Sequence, residues 1–241
     1  MFLEINDVEK VFGGLVALSG ISFSVESGET LGIMGANGAG KTTLFSLIAG
    51  HQRLNSGSIF FENRKINGLR PDQINSLGIA RTYQIVRPFR GLTVIENVSS
   101  GVLFGARKIK TIKKAEELAK SILADVKLID KANDIARGLT LAGFKRLELA
   151  RALATGPKVL LLDEVMAGLT ATEVSEAISI IEDCKAKYNL TIVVIEHVMK
   201  ALMRMCNRIV VLHHGEMIAL GSPVEIAKDQ NVIQAYLGEE A

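Results

Sequence analysis

The chain has 241 residues, 48% of them hydrophobic, and its 28 basic and 26 acidic side chains leave a formal net charge of +2. So even a balance excludes the broad basic footprint of a nucleic-acid binder, and the apolar fraction suffices for one large domain or two modest lobes with buried cores. No apolar run approaches the roughly 20 residues that span a bilayer, and the N-terminus, with Glu4 and Asp7, lacks the charged-then-apolar order of a signal peptide, so the chain is expected in the cytoplasm.

Residues 2 to 34 alternate short β-rich runs with Gly13-Gly14, Gly20 and Gly28, the pattern of an antiparallel meander. The apolar run Thr30 to Met34 then delivers Gly35-Ala36-Asn37-Gly38-Ala39-Gly40-Lys41-Thr42-Thr43, which opens a helical pattern. This is the phosphate-cradling P-loop spacing: the glycines let successive N–H groups converge on phosphate oxygens at the positive end of the following helix. In that arrangement Lys41 reaches the terminal phosphates of a nucleoside triphosphate and Thr42 a magnesium ion.

A short strand around Ile59 to Glu62 leads to Pro71, a helix start, and the run Ile79 to Tyr83 ends at Gln84 before a loop containing Pro88 and Gly91. From Thr111 to Val126, apolar residues at 112, 115, 118, 122 and 126 follow the helical period, and a further helix runs from about Gly143 to Ala154. Ahead of them Arg107, Lys108, Lys110, Lys113 and Lys114 form a basic cluster, which reads as a solvated helix start or as a surface near anionic lipid headgroups. The final third alternates strand and helix: Lys158 to Leu162, a helix to Lys187, Thr191 to Ile195, a helix to Cys206, and Arg208 to Leu212. The uninterrupted apolar runs identify parallel strands covered on both faces. Thr170-x-x-Glu173 has the capping-box spacing for the first of those helices. Cys184 shares a helical face with Val174, Ala177 and Ile181, and neither it nor Cys206 has metal-site spacing, so both are read as reduced core thiols.

The strand Val159-Leu-Leu-Leu-Asp-Glu164 ends in two acids, which places both carboxylates at the carboxyl edge where ligands of α/β folds bind. Asp163 suits magnesium, directly or through water, and Glu164 suits orienting or deprotonating a water that attacks a γ-phosphate. The strand Ile192-Val-Val-Ile-Glu-His197 delivers a histidine to the same kind of edge, as a donor to a γ-phosphate oxygen or as a structural residue. His51 and the pair His213-His214 ahead of Gly215 need no more than turn and surface roles.

This order of elements resembles the ATP-binding subunit of ABC transporters over nearly the whole chain. The resemblance implies an α/β fold: a P-loop core of mainly parallel strands flanked by helices, with an antiparallel β subdomain and a helical insertion. One ATP-binding domain would span 1–241, its nucleotide-binding core and β subdomain in 1–84 and 155–241 and its helical subdomain in 85–154. By the same resemblance Phe12 stacks on adenine, the alternative being a hairpin core residue. Gln84 senses magnesium and the attacking water, the loop after it faces the transmembrane partner, and Ala167 to Thr170 form the D-loop. The signature Leu-Ser-Gly-Gly-Gln falls on Leu139-Thr140-Leu141-Ala142-Gly143, where Thr140 keeps a hydroxyl, Ala142 replaces a glycine and Gly143 replaces the glutamine. In the family this motif completes the ATP site of the other subunit, so the departure would handicap the partner's site and weaken function without abolishing it.

Ile85 to Val98, the segment Asp-Glu-Val-Met-Ala-Gly-Leu-Thr and the ending Ala235-Tyr-Leu-Gly-Glu resemble the branched-chain amino-acid importers, with importers of urea or short amides as the alternative. The implied ligands are ATP and Mg2+. The implied partners are transmembrane permeases, a second ATP-binding subunit (this chain or a paralogue) and, indirectly, an extracytoplasmic solute-binding protein, with the chain peripheral on the cytoplasmic face of the membrane. A soluble ABC ATPase is disfavoured because the chain has neither tandem ATP-binding domains nor a long coiled coil, and a nucleotide sensor that does not hydrolyse ATP is suggested only by the altered signature.

Overall fold

The computed structural model describes residues 1–83, 88–107 and 109–237. Gln84 and Lys108 lie outside the described residues. The strands are β1 (Leu3–Phe12), β2 (Leu15–Val25), β3 (Thr30–Met34), β4 (Ser56–Phe61), β5 (Arg64–Lys65), β6 (Ile79–Arg81), β7 (Val159–Asp163), β8 (Thr191–Ile195), β9 (Arg208–His213) and β10 (Glu216–Gly221). The helices are α1 (Lys41–Ile48), α2 (Pro71–Leu77), α3 (Val94–Phe104), α4 (Ile112–Asp125), α5 (Leu141–Ala154), α6 (Ala171–Tyr188), α7 (Met199–Met205), α8 (Pro223–Ile226) and α9 (Gln230–Leu237). Contacts divide the chain into two units, Met1–Ile74 with Thr191–Ala241, and Asn75–Leu190.

In the first unit, β2, β1, β4 and β5 form an antiparallel sheet in that order. Where sequence pattern points to a meander of short strands through residue 34, β1 and β2 are instead 10 and 11 residues long. They sustain that length through register shifts that re-aim the strands. The third run leaves the meander altogether. β3 pairs in parallel with both β8 and β9, and β10 closes on β9 as an antiparallel hairpin. Every residue of β3 and β8 is buried, as strands covered on both faces must be.

In the second unit, β6 and β7 pair in parallel, and α3, α4, α5 and α6 build a helical core. Helix α5 starts at Leu141, two residues earlier than periodicity places it, because Thr140 caps it by accepting from the Gly143 amide at 3.2 Å. On α4 the buried positions are Ala115, Ala119, Ile122 and Leu123, while Ile112 is exposed. Both Thr93-x-x-Glu96 and Thr170-x-x-Glu173 form reciprocal capping boxes, the second as its spacing predicts. Cys184, in this unit, and Cys206, in the other, are buried, and neither forms a disulfide.

Asn97, fully buried on α3, ties down the stretch that leads into that helix. It accepts from the Phe89 amide at 2.8 Å and donates to the Phe89 and Thr93 carbonyls at 3.1 and 2.9 Å. Replacing it takes the partner from the Phe89 amide, while the Phe89 and Thr93 carbonyls keep the Leu92 and Asn97 amides as donors. Asn97→Ala is expected to lower the stability of the folded chain by about 1–3 kcal/mol, read from urea denaturation.

Candidate nucleotide site

In the first unit the fully buried β3 releases its chain into the loop 35–40, and α1 begins at Lys41. Gly40 precedes α1 with φ +99, and a Cβ there would come within 2.6 Å of the Ala17 carbonyl oxygen and Leu18 Cδ2, so only glycine fits. The Lys41 side chain is buried and folds back, donating from Nζ to the carbonyls of Gly35 and Ala36 at 2.7 and 2.8 Å. Gly35 and Ala39 are buried, Ala36 and Thr43 half-buried, and Asn37, Gly38 and Thr42 exposed. The loop thus sets the exposed residues Asn37 and Gly38 beside a held ammonium group, which suits a polyphosphate.

Pairing of Ile33 with Ile195 in the parallel register puts the exits of β3 and β8 at the same sheet edge. The first exit leads to Gly35, the second to the buried Glu196 and the exposed His197. Phe12 ends β1 with 42% of its surface exposed, which removes the reading as a hairpin core residue. Lys10 Nζ lies 4.6 Å from its ring centroid.

In the second unit Asp163 ends β7 almost fully buried. Its Oδ2 accepts from Arg81 at 2.7 Å, its amide donates to Thr82 Oγ at 3.0 Å, and its buried Oδ1 has no hydrogen-bond partner. A carboxylate oxygen left in that state is suited to a cation. Among the described residues no three His, Cys, Asp or Glu side chains cluster to hold a metal. Glu164 follows half-buried, with φ +50.

Thr140, Ala142 and Gly143 sit at the N-terminus of α5. A cleft of about 510 Å³ opens beside it, lined by Arg90, Arg137, Leu141, Phe144, Lys145 and Ala167. A Cβ at Gly143 would lie 3.2 Å from Leu139 Cβ, so a glutamine here would require Leu139 to give by a few tenths of an ångström.

Three buried charged residues escape a reading of motifs alone: Arg81, Lys145 and Glu148. Arg81 stands three residues before Gln84, and the helical period does not mark Lys145 and Glu148 because α5 buries polar and apolar residues alike. Burial pushes the Glu148 carboxyl up to about 7, the Tyr83 amide, Lys145 and Arg151 counteract this, and Asp163 adds to it.

The profile of the ABC transporter family matches residues 18–167, and that of the branched-chain amino acid ATP-binding cassette transporters matches residues 216–241. A high-affinity branched-chain amino acid transport ATP-binding protein, LivG, of Salmonella typhimurium is 37% identical over 249 residues, covering 98% of both chains. Its counterpart BraF of Pseudomonas aeruginosa is 35% identical over 98% of both chains. The ADP conformation of an ATP-binding cassette from an ABC transporter superposes with a TM-score of 0.89 at 30% identity, again over 98% of both chains.

Because Glu148 keeps its proton in the folded chain to a higher pH than in the unfolded chain, its contribution to stability is complete below about pH 4.5 and is lost as pH rises through about 7. The loss amounts to about 3 kcal/mol. Glu148→Gln is expected to flatten the fall in urea midpoint across this window. An equally steep fall in that variant would assign the titration to another group.

Proposed function

This chain belongs to the ABC transporter family as an ATP-hydrolysing subunit of a branched-chain amino acid transporter, and from that premise we propose how its residues divide the work. The observation that carries the reading is the loop 35–40 with Lys41 held on the Gly35 and Ala36 carbonyls. The amides of residues 35 to 43 and the Lys41 ammonium hold the β- and γ-phosphates of ATP, and Phe12 stacks on adenine. Thr42, Asp163 and Gln84 would hold a magnesium ion, which would supply positive charge against the phosphates.

Glu164 takes a proton from the attacking water as its oxygen bonds to the γ-phosphorus. The bond from that phosphorus to the ADP oxygen breaks, and His197 donates a hydrogen bond to a γ-phosphate oxygen. Thr140, Ala142 and Gly143, at the positive end of α5, grip the γ-phosphate held by a second ATP-binding subunit. Arg90 and Arg137, lining the cleft beside them, supply matching charge.

No described helix is long and apolar enough to cross a membrane. The chain works at the cytoplasmic membrane face against two permease subunits, an extracytoplasmic binding protein delivering the solute. The permeases contact the 85–154 lobe, and the solute is a branched-chain amino acid, as the match over 216–241 favours. Closure of two subunits on ATP and their parting after hydrolysis switch the permeases between inward and outward states.

Lys41→Ala is expected to abolish ATP binding, read by titration calorimetry. Glu164→Gln should bind ATP normally but slow hydrolysis by about 10²- to 10⁴-fold, and near-normal turnover would exclude Glu164 as the base. Light scattering of the same variant with Mg-ATP should show a dimer. A monomer that still binds ATP would indicate that a paralogue or the permeases must complete the pair.

A further inference from the structure

The helix that begins at the signature carries two buried charges on one face. Lys145 and Glu148, three residues apart on α5, are 7% and 6% exposed. Lysine and glutamate are rarely buried so deeply unless their charged groups are engaged, and here each engages the backbone of a different strand exit. Lys145 Nζ donates to the Glu164 carbonyl at 3.0 Å, and the Tyr83 amide donates to Glu148 Oε1. The two anchored residues matter for where they stand. Glu164, proposed above as the base, sits at φ +50, a conformation that a residue with a side chain keeps only when its surroundings hold it. Tyr83 is the last residue before Gln84 and follows Thr82, whose hydroxyl accepts from the Asp163 amide.

We propose that Lys145 and Glu148 are positioning residues: they tie the signature helix to the backbone of Glu164 and to the strand exit that leads to Gln84. A helix is stiff and packed interiors transmit displacement, so a shift of the α5 N-terminus on gripping the partner's nucleotide is passed to this chain's own hydrolytic residues. The geometry is specific. The lysine stem crosses from α5 to the chain just past β7, and the glutamate reaches the chain just past β6. Both ties end on main-chain atoms, so they act whatever side chain the anchored residue carries. The proposal rests on Glu164 as the base only for its effect on rate. The ties themselves can be tested separately.

The test compares Lys145→Met, Glu148→Ala, Glu148→Gln and Glu164→Gln in the full chain. It measures single-turnover hydrolysis, ATP affinity, thermal stability and hydrogen exchange of the Tyr83 amide. Lys145→Met and Glu148→Ala should each slow hydrolysis by about 10- to 100-fold with ATP affinity unchanged, the scale expected for a base misplaced by an ångström. Glu148→Ala should also speed Tyr83 exchange about tenfold, and Glu148→Gln, which keeps the acceptor, should restore both exchange and rate. Wild-type rates in Lys145→Met and Glu148→Ala, beside a slow Glu164→Gln, would overturn the proposal. So would rate losses that merely track the folded fraction, or Tyr83 exchange indifferent to Glu148→Ala. A fast Glu164→Gln would instead remove Glu164 from its role as base, while the exchange measurement still decides whether the tie exists.

Discussion

A parallel strand covered on both faces can place a polar side chain only near its ends, and this constraint organises the molecule. β3, β7 and β8 are five residues each, with every residue buried. Apart from Thr30 and Thr191, which open β3 and β8, and Gly32 inside β3, their polar or glycine-rich positions fall at or just past their carboxyl ends: Gly35 after β3, Asp163 at the end of β7, and Glu196 with His197 after β8. On these three strands charged side chains are confined to the exits because the strands admit them nowhere else. The same constraint makes these exits rigid, since each begins from a strand paired to a neighbour and held in a close-packed interior.

The second unit adds a different physical problem, that of charge away from water. Arg81 and Asp163 form a buried pair, their side chains 7% and 2% exposed. Removing one member of such a pair leaves the other uncompensated, at a cost of about 3–5 kcal/mol, whereas the intact pair contributes little net stability. Its value is geometric. One Asp163 oxygen is fixed by Arg81 and the amide is fixed by Thr82, which leaves the direction of Oδ1 set by neighbours rather than by side-chain rotation. A carboxylate oxygen oriented in this way would lose little rotational freedom on taking up a cation.

The sequence made some of this legible and hid the rest for identifiable reasons. Asp163 and His197 stand at the abrupt polar ends of apolar runs, and Lys41 closes a glycine-rich spacing after another, patterns that do not depend on tertiary contacts. Thr93-x-x-Glu96 has the same capping-box spacing as Thr170-x-x-Glu173, yet α3 is easily passed over because it follows directly on the loop containing Pro88 and Gly91. The length of β1 and β2 is obscured by their bulges, which break strict alternation without ending the pairing. Lys145 and Glu148 are invisible for a deeper reason. In α5 they lie among Leu147, Leu149 and Leu153 with no solvent-facing stripe to set them apart, and a charge in a helix reads as surface until its partner is known. Phe12 shows the converse, since an aromatic at a hairpin end reads equally as core or as ligand surface until its exposure is known.

The two cysteines give the molecule a property unrelated to turnover. One lies in each unit, Cys184 at 2% exposure and Cys206 at 8%. Burial, with Asp125 and Asp183 nearby, pushes the Cys184 thiol up to about 12, so at neutral pH almost none of it is thiolate. A thiol-specific reagent therefore meets Cys184 only when the second unit opens, and meets Cys206 only when the first does. The chain carries, without any engineering, a separate chemical clock for the breathing of each half.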